Sequence, residues 1–182
     1  MKRFCLTLLL LNLCFTVFAQ TNDPQEVTPA LLKTIKEEAL AESKSYKAAL
    51  DSTKAFSADF IEFMTDTFVI NRVANRMTDV DYSTYGINNA IDESVKAYDK
   101  LLNKYYNKLL DRLKGDDKQV LIEAQRKWLA FRDAELHLLG VVIKDEYSGG
   151  GTMQSNILGS TYADRIVNRV VELFYLYEGM LK

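Results

Sequence analysis

Few side chains in this sequence could act as nucleophiles or as metal ligands. His137 is the single histidine, and the two cysteines, Cys5 and Cys14, lie near the amino terminus. One histidine cannot supply the two Glu-x-x-His motifs of a di-metal bundle site, and no Gly-x-Ser-x-Gly segment offers a serine nucleophile. The sequence therefore predicts a protein that is not an enzyme, with no catalytic residue, metal ligand or cofactor, and His137 is interpreted as structural or exposed.

Carboxylate pairs are the remaining candidates for catalysis. Asp79 with Asp81, or Asp133 with Glu135, could supply the acid and the base of a glycosidase. Such neighbours also arise by chance, because the chain contains 25 acidic residues. A carboxylate-dependent hydrolase is therefore kept as the least favoured functional class.

Two rows of side chains recur at helical spacing. The first row contains Asp99, Asn103, Tyr106 and Leu110, and the second contains Leu121, Gln125, Trp128 and Arg132. Spacings of four, three and four residues place each row on one helical face. A short turn at Gly115 would make the two helices antiparallel neighbours, with Asp99 opposite Arg132. We expect a partly buried seam whose Asp99–Arg132 pair is structural.

The elements that carry these rows are predicted to be long helices, because neither glycine nor proline interrupts residues 30–85. Thr28 and Pro29 are typical of a helix start, and Ser57 marks the next one. The expected helices cover about residues 28–54, 57–77, 87–114, 116–144 and 152–179, with a loop over residues 78–86. Asp116, Asp117 and Thr152 are the expected capping residues, and Gly115 and Gly179 are expected to end helices. The fold prediction is an all-α bundle of about five helices in one domain, residues 28–182.

The amino-terminal segment has the features of a secretory signal peptide. Lys2 and Arg3 precede an apolar run, and Ala19 precedes the polar residues that begin at Gln20. We expect cleavage after residue 19, a disordered lead over residues 20–27, and a periplasmic or secreted bacterial protein without a transmembrane segment. A lipoprotein anchored through Cys14 stays an open alternative.

The charge of the mature chain argues against nucleic acid as a partner. Loss of Lys2 and Arg3 would leave 21 basic and 25 acidic residues. A mildly acidic surface suits a cationic envelope protein, although it is equally consistent with simple solubility.

Three segments and two later residues carry a family resemblance: residues 97–106, residues 124–133, residues 147–152, Arg169 and Leu173. Their order and spacing resemble the LprI-type lysozyme inhibitor family over about residues 81–176. The resemblance implies a small helical protein and a lysozyme as partner. The family-motif residues, interpreted as structural, are Asp99, Asn103, Tyr106, Gln125, Trp128, Arg132, Asp133 and Arg169. Cysteines that usually brace the family's fold have no counterparts here, and Ala90 and Leu136 stand about where two would fall.

A glycine-rich segment is the predicted partner-binding site. It consists of Tyr147, Ser148, Gly149, Gly150, Gly151 and Thr152, named here the 147–152 loop. Three glycines would let the backbone enter a narrow cleft, and Tyr147 would add an aromatic contact. A flexible hinge between two helices is an equally consistent interpretation.

The favoured hypothesis is an exported binding protein that resembles a lysozyme inhibitor. The alternative is an envelope scaffold or adaptor without inhibitory activity, which would dock through aromatic residues such as Phe174, Tyr175 and Tyr177. Those aromatic residues are more typical of a core, because they recur at helical spacing.

Overall fold

The computed structural model describes residues 23–180, and within that range the chain forms six helices and no strand. The helices are α1 (Pro29–Thr53), α2 (Ala58–Val80), α3 (Thr84–Arg112), α4 (Asp117–Val142), the single turn α5 (Asp145–Ser148) and α6 (Met153–Gly179). The all-α bundle is therefore confirmed. The predicted signal peptide and Cys14 lie outside the described residues. No helix between residues 23 and 180 combines the length and apolarity that crossing a membrane requires.

Local capping starts the first two helices where the sequence predicted. The Thr28 hydroxyl accepts a hydrogen bond from the Leu31 N–H, with Pro29 as the first helical residue. The Ser57 hydroxyl accepts one from the Phe60 N–H in the same way. Both side chains satisfy a backbone donor that the first turn of a helix leaves free.

The connection between α2 and α3 is shorter than predicted. A loop over residues 78–86 was expected, but α2 continues to Val80 and α3 begins at Thr84. The Ser83 hydroxyl caps α3 by accepting from the Gly86 N–H, and the Asp81 carboxylate accepts from the Ser83 N–H. Gly86 therefore lies inside the first turn of the helix rather than in the loop.

The predicted side-chain caps of the later helices are wrong. Asp116 and Thr152 occupy the N-cap positions of α4 and α6, but neither side chain makes a capping hydrogen bond. α3 ends at Arg112, before the predicted end at Lys114, and Gly115 adopts the left-handed φ of +53° in the turn before α4. α6 ends at Gly179 as predicted. The additional turn α5 follows α4, which ends at Val142 rather than near residue 144.

The helices pack in the spatial order α1, α2, α3, α6, α4. α1 and α2 are antiparallel and are joined by Arg72–Glu42 and Arg76–Glu38 ion pairs. α2 and α3 are also antiparallel, and the Tyr98 hydroxyl donates to Asn71 across them. α6 runs parallel to α3 along most of its length, and α4 covers the outer side of α6.

Two separate clusters of buried side chains hold the bundle together. The main cluster joins α2, α3, α4 and α6 around Tyr105 and Phe174, which are both fully buried. The Phe63 and Phe174 rings stack there at 4.0 Å between centroids. The second cluster joins α1, α2 and α3 through Ile35, Ala39, Val73, Met77 and Ala90.

The predicted pairing of α3 with α4 is wrong, because α6 occupies the place expected for α4. α6 buries five side chains, namely Ile166, Val170, Leu173, Phe174 and Tyr177, whereas α4 buries only Leu121 and Gln125. The larger apolar face removes more hydrocarbon surface from water, so α6 is the better cover for the apolar face of α3.

Candidate functional site

The α4 part of the family motif lies against α6 and forms an arginine–tryptophan cluster, consisting of Gln125, Trp128, Arg132, Tyr162 and Arg169. Gln125, Trp128 and Arg132 share one face of α4, because they are spaced by three and four residues. Tyr162 and Arg169 are seven residues apart on the facing side of α6. Tyr162 is not among the site residues predicted from the sequence, although its heptad spacing from Arg169 is a detectable signal.

Two guanidinium groups lie over the Trp128 ring in this cluster. The Arg132 guanidinium carbon is 5.5 Å from the ring centroid, and that of Arg169 is 5.7 Å away. Arg132 is also 5.7 Å from the centroid of Tyr162. The side chains of Arg132 and Arg169 are only 16% and 13% exposed, so these cation–π contacts are largely shielded from water.

Hydrogen bonds complete the arginine–tryptophan cluster. The Arg169 Nε–H donates to Gln125 Oε1 at 3.0 Å, and its Nη1–H donates to Glu172 at 3.0 Å. Arg132 donates to the neighbouring Asp133 carboxylate at 2.7 and 2.9 Å. Because Gln125 is buried, its amide oxygen needs this donor. These contacts therefore stabilise the packing of α4 on α6. Within the cluster, no group is placed as a nucleophile next to a base.

The predicted Asp99–Arg132 pair does not form. Asp99 and Asn103 are exposed on α3, and the Asn103 amide donates to the Asp99 carbonyl oxygen of its own helix at 2.9 Å. Tyr106 is half-buried against the main cluster. The family-motif residues thus separate: Asp99 and Asn103 are exposed on α3, whereas Gln125, Trp128, Arg132 and Arg169 pack together between α4 and α6.

Three of the four candidate catalytic carboxylates have structural partners, whereas Asp79 is exposed. Asp81 is buried and accepts from the Ser83 N–H. Asp133 pairs with Arg132, and Glu135 pairs with Arg165 of α6 at 2.9 Å. His137 is exposed, and among residues 23–180 no group of three or more His, Cys, Asp or Glu side chains is placed to hold a metal ion.

The 147–152 loop is exposed and has a defined backbone conformation. Its three glycines all have positive φ, at +78°, +75° and +103°. The Ser148 hydroxyl donates to the Ile143 carbonyl oxygen at 2.8 Å and accepts from the Gly150 N–H at 3.2 Å. Left-handed conformations of this kind are accessible to glycine at little cost, so the sequence fits the turn it makes.

Exposed apolar side chains occur within this loop and on the helices that flank it in sequence. Tyr147 is 65% exposed, and Leu138, Val142 and Met153 are each more than half exposed. Leu138 and Val142 also line a groove of about 170 Å³ between α4 and α6. Exposed apolar groups that are adjacent in space are typical of surfaces that contact a partner.

Comparison with known families identifies the group to which this architecture belongs. The family model described as Lysozyme inhibitor LprI matches residues 75–173, more than half of the chain. The chain belongs to the LprI family. The LprI match begins near the end of α2 and ends within α6, so it contains both the arginine–tryptophan cluster and the 147–152 loop but leaves α1 outside. The chain matches no curated protein and no solved structure.

Proposed function

We propose that this protein is exported and inhibits a lysozyme by binding to it through the 147–152 loop. The observation that carries the proposal is the exposure of this loop, with three glycines at positive φ beside an exposed Tyr147, within the LprI-matching part of the chain. A backbone without side chains at three successive positions can approach a substrate cleft closely. Tyr147 supplies a large aromatic surface of the kind that anchors interfaces.

Two further features support a lysozyme as the partner. The N-terminus of α6 follows the loop and presents backbone N–H groups, which favour a nearby carboxylate such as a lysozyme active site contains. The acidic excess of the mature chain favours encounter with a basic enzyme, with an effect that weakens as salt rises.

Inhibition assays with matched variants test the loop. Purified mature protein is titrated against a panel of lysozymes, and we expect inhibition of at least one. Tyr147→Ala removes the aromatic contact, and Gly149→Asn adds a side chain where open space surrounds the backbone. Asparagine tolerates the left-handed region, so the fold should persist. Gly150 is unsuitable, because a side chain there would approach the Asp145 carboxylate at 2.7 Å.

The control is Tyr175→Ala, which removes a tyrosine that is 58% exposed at the other end of α6. We expect the two loop variants to raise the inhibition constant by about tenfold or more, as for a contact residue at an interface, and the control to leave it unchanged. Equal inhibition by all variants would contradict the loop assignment. Absence of inhibition across the panel would favour a scaffold function.

A scaffold is the second candidate, and α4 supplies the observation in its favour. Val120, Phe131, Leu138 and Val142 lie along one side of α4, and each is more than half exposed. The aromatic face first considered for docking does not serve, because Phe174 and Tyr177 are buried in the main cluster. Pull-down with the mature protein would detect such a partner, and a polysaccharide cleavage assay covers the hydrolase alternative.

Export itself is part of the proposal. A signal peptide cleaved after Ala19 would yield a cysteine-free chain beginning at Gln20. Intact mass spectrometry of the periplasmic or secreted protein measures this directly. A retained leader, or a lipid on Cys14, would contradict cleavage after Ala19.

A further inference from the structure

A second, larger depression lies on the helices α1, α2 and α3, separate from the 147–152 loop. It has a volume of about 650 Å³, within the range of about 300–1,000 Å³ typical of small-molecule sites. Its apolar lining comes from all three helices, namely Leu40, Val69, Ile70, Val73, Ala97 and Leu101. This groove lies where the two core clusters separate, since Val73 belongs to the second cluster and Leu101 to the main one.

Ion pairs between helices line this groove. Lys36 Nζ on α1 lies 2.6 Å from a Glu93 carboxylate oxygen on α3, and Lys104 Nζ on α3 lies 2.5 Å from Asp66 on α2. Glu93 and Lys104 are eleven positions apart on α3, so the two bridges lie about 16 Å from each other at a rise of about 1.5 Å per residue. Both bridges therefore join α3 to a neighbouring helix across the groove.

The rim of the groove carries uncompensated positive charge. The carboxylates that line it, Asp66 and Glu93, are already paired with Lys104 and Lys36. Lys96 and Lys100 also line it, are exposed, and make no ion pair or hydrogen bond within residues 23–180. They are four residues apart on α3, so their ammonium groups project from the same helical face.

We propose that this groove binds a long-chain fatty acid, with its hydrocarbon chain on the apolar lining and its carboxylate at Lys96 and Lys100. Burial of the chain in an apolar groove is favoured by the hydrophobic effect, and two unpaired ammonium groups select an anion. A cationic protein would be repelled by this rim, so the inference does not depend on lysozyme binding.

Calorimetric titration of the full mature protein with palmitate, below the concentration at which palmitate aggregates, tests the site. We expect saturable binding, and weaker binding of palmityl alcohol, which has the same chain without the charge. Lys96→Gln with Lys100→Gln should weaken palmitate binding by about three- to thirty-fold, the effect of losing two exposed charge contacts. Lys44→Gln with Lys47→Gln changes the net charge equally at exposed positions of α1 outside the groove, and should leave binding unchanged.

A third variant tests the hydrocarbon contact. Leu40 is 54% exposed, so Leu40→Asp should preserve the fold while placing a carboxylate beside the chain, and palmitate binding should fall below detection. Circular dichroism and the urea midpoint verify folding of every variant. Absence of palmitate binding, or equal binding by wild type and the Lys96 and Lys100 double variant, would overturn the proposal. Lysozyme inhibition that persists in the lysine double variant would distinguish this site from the loop.

Discussion

Arg169 illustrates how one side chain of the family motif can serve packing rather than chemistry. Its guanidinium group donates to the buried Gln125 amide and lies over Trp128, so it joins α6 to two positions of α4. A buried polar group that loses its partner retains the cost of its desolvation. The arrangement accounts for a polar residue between two helices without any need for a catalytic function.

The first prediction contrasts two members of the family motif. Arg169→Ala should lower the free energy of unfolding by about 1–3 kcal/mol, because Gln125 loses its donor. Asp99→Ala should change it by less than about 0.5 kcal/mol, because Asp99 is exposed and has no partner on another helix within residues 23–180. Urea unfolding of both variants measures the difference. Equal destabilisation would indicate that Asp99 has a tertiary contact that this structure lacks.

Glu62 leads to a second prediction, on pH dependence. Its carboxylate accepts from Lys108 at 2.6 Å and lies 2.8 Å from Lys104. Burial by itself would raise the pKa of Glu62, but the hydrogen bonds from Lys104 and Lys108 outweigh it and hold that pKa below its usual 4.5. At pH values near this pKa, the folded state therefore binds fewer protons than the unfolded state.

The ionised Glu62 carboxylate should therefore contribute to the free energy of unfolding above about pH 4.5. This contribution should be lost as the pH falls through the lowered pKa. Glu62→Gln removes the titrating group, so the free energy of unfolding should fall less steeply between about pH 5 and pH 3 than in the wild type. Urea unfolding at a series of pH values provides the measurement. Parallel curves for the two proteins would contradict the prediction.

At the scale of elements, the start of α3 shows how tightly one connection is built. A Cβ at Gly86 would overlap the Cγ and the carbonyl oxygen of Asp81, which is itself buried. Backbone atoms cannot move aside as a flexible side chain can. The short connection between α2 and α3 thus depends on a residue without a side chain.

The third prediction compares Gly86 with a second helical glycine. Gly86→Ala should destabilise the protein by about 1–3 kcal/mol, because the connection must shift to admit the methyl group. Gly140→Ala in α4 should stabilise it by about 0.5–1 kcal/mol, because its Cβ would meet nothing and alanine is the better helix former. Thermal or urea unfolding compares them. A destabilised Gly140→Ala variant would show that α4 has a closer neighbour at this position.

At the scale of the whole molecule, stability is divided unequally between the two core clusters. Within residues 23–180, twelve buried residues form the main cluster, whereas five form the cluster that holds α1. α1 buries only Ile35, Ala39 and Ser43. Its detachment would therefore expose much less apolar surface than separation of α3 from α6.

The fourth prediction follows from this asymmetry. Backbone amides of α1 should exchange with solvent through a partial opening, at a lower free energy than amides in the middle of α3 and α6. Native-state hydrogen exchange, followed by mass spectrometry of peptides, measures both. Exchange of all helices at a single free energy would contradict it and would indicate one cooperative unit.

Local chemistry in the sequence determined the helical class and several boundaries. Thr28 and Ser57 cap their helices, and Gly115 and Gly179 lie where the chain turns or ends a helix. These features depend on a few neighbouring residues, so no knowledge of the fold is needed to predict them. The prediction failed where an additional turn, α5, formed within a segment that contains no strong periodic pattern.

Tertiary structure decided which helix covers α3, and with it the partners of the motif residues. The Asp99–Arg132 pair is predicted from the positions of the two residues along α3 and α4. That prediction requires helices that are consecutive in sequence to be nearest neighbours in space. The apolar face of α6 is larger than that of α4, so α6 packs on α3 and Arg132 lies beside Trp128 and Tyr162 instead. The choice depends on the total apolar area that each pairing buries, which is a property of the assembled bundle and not of any one segment.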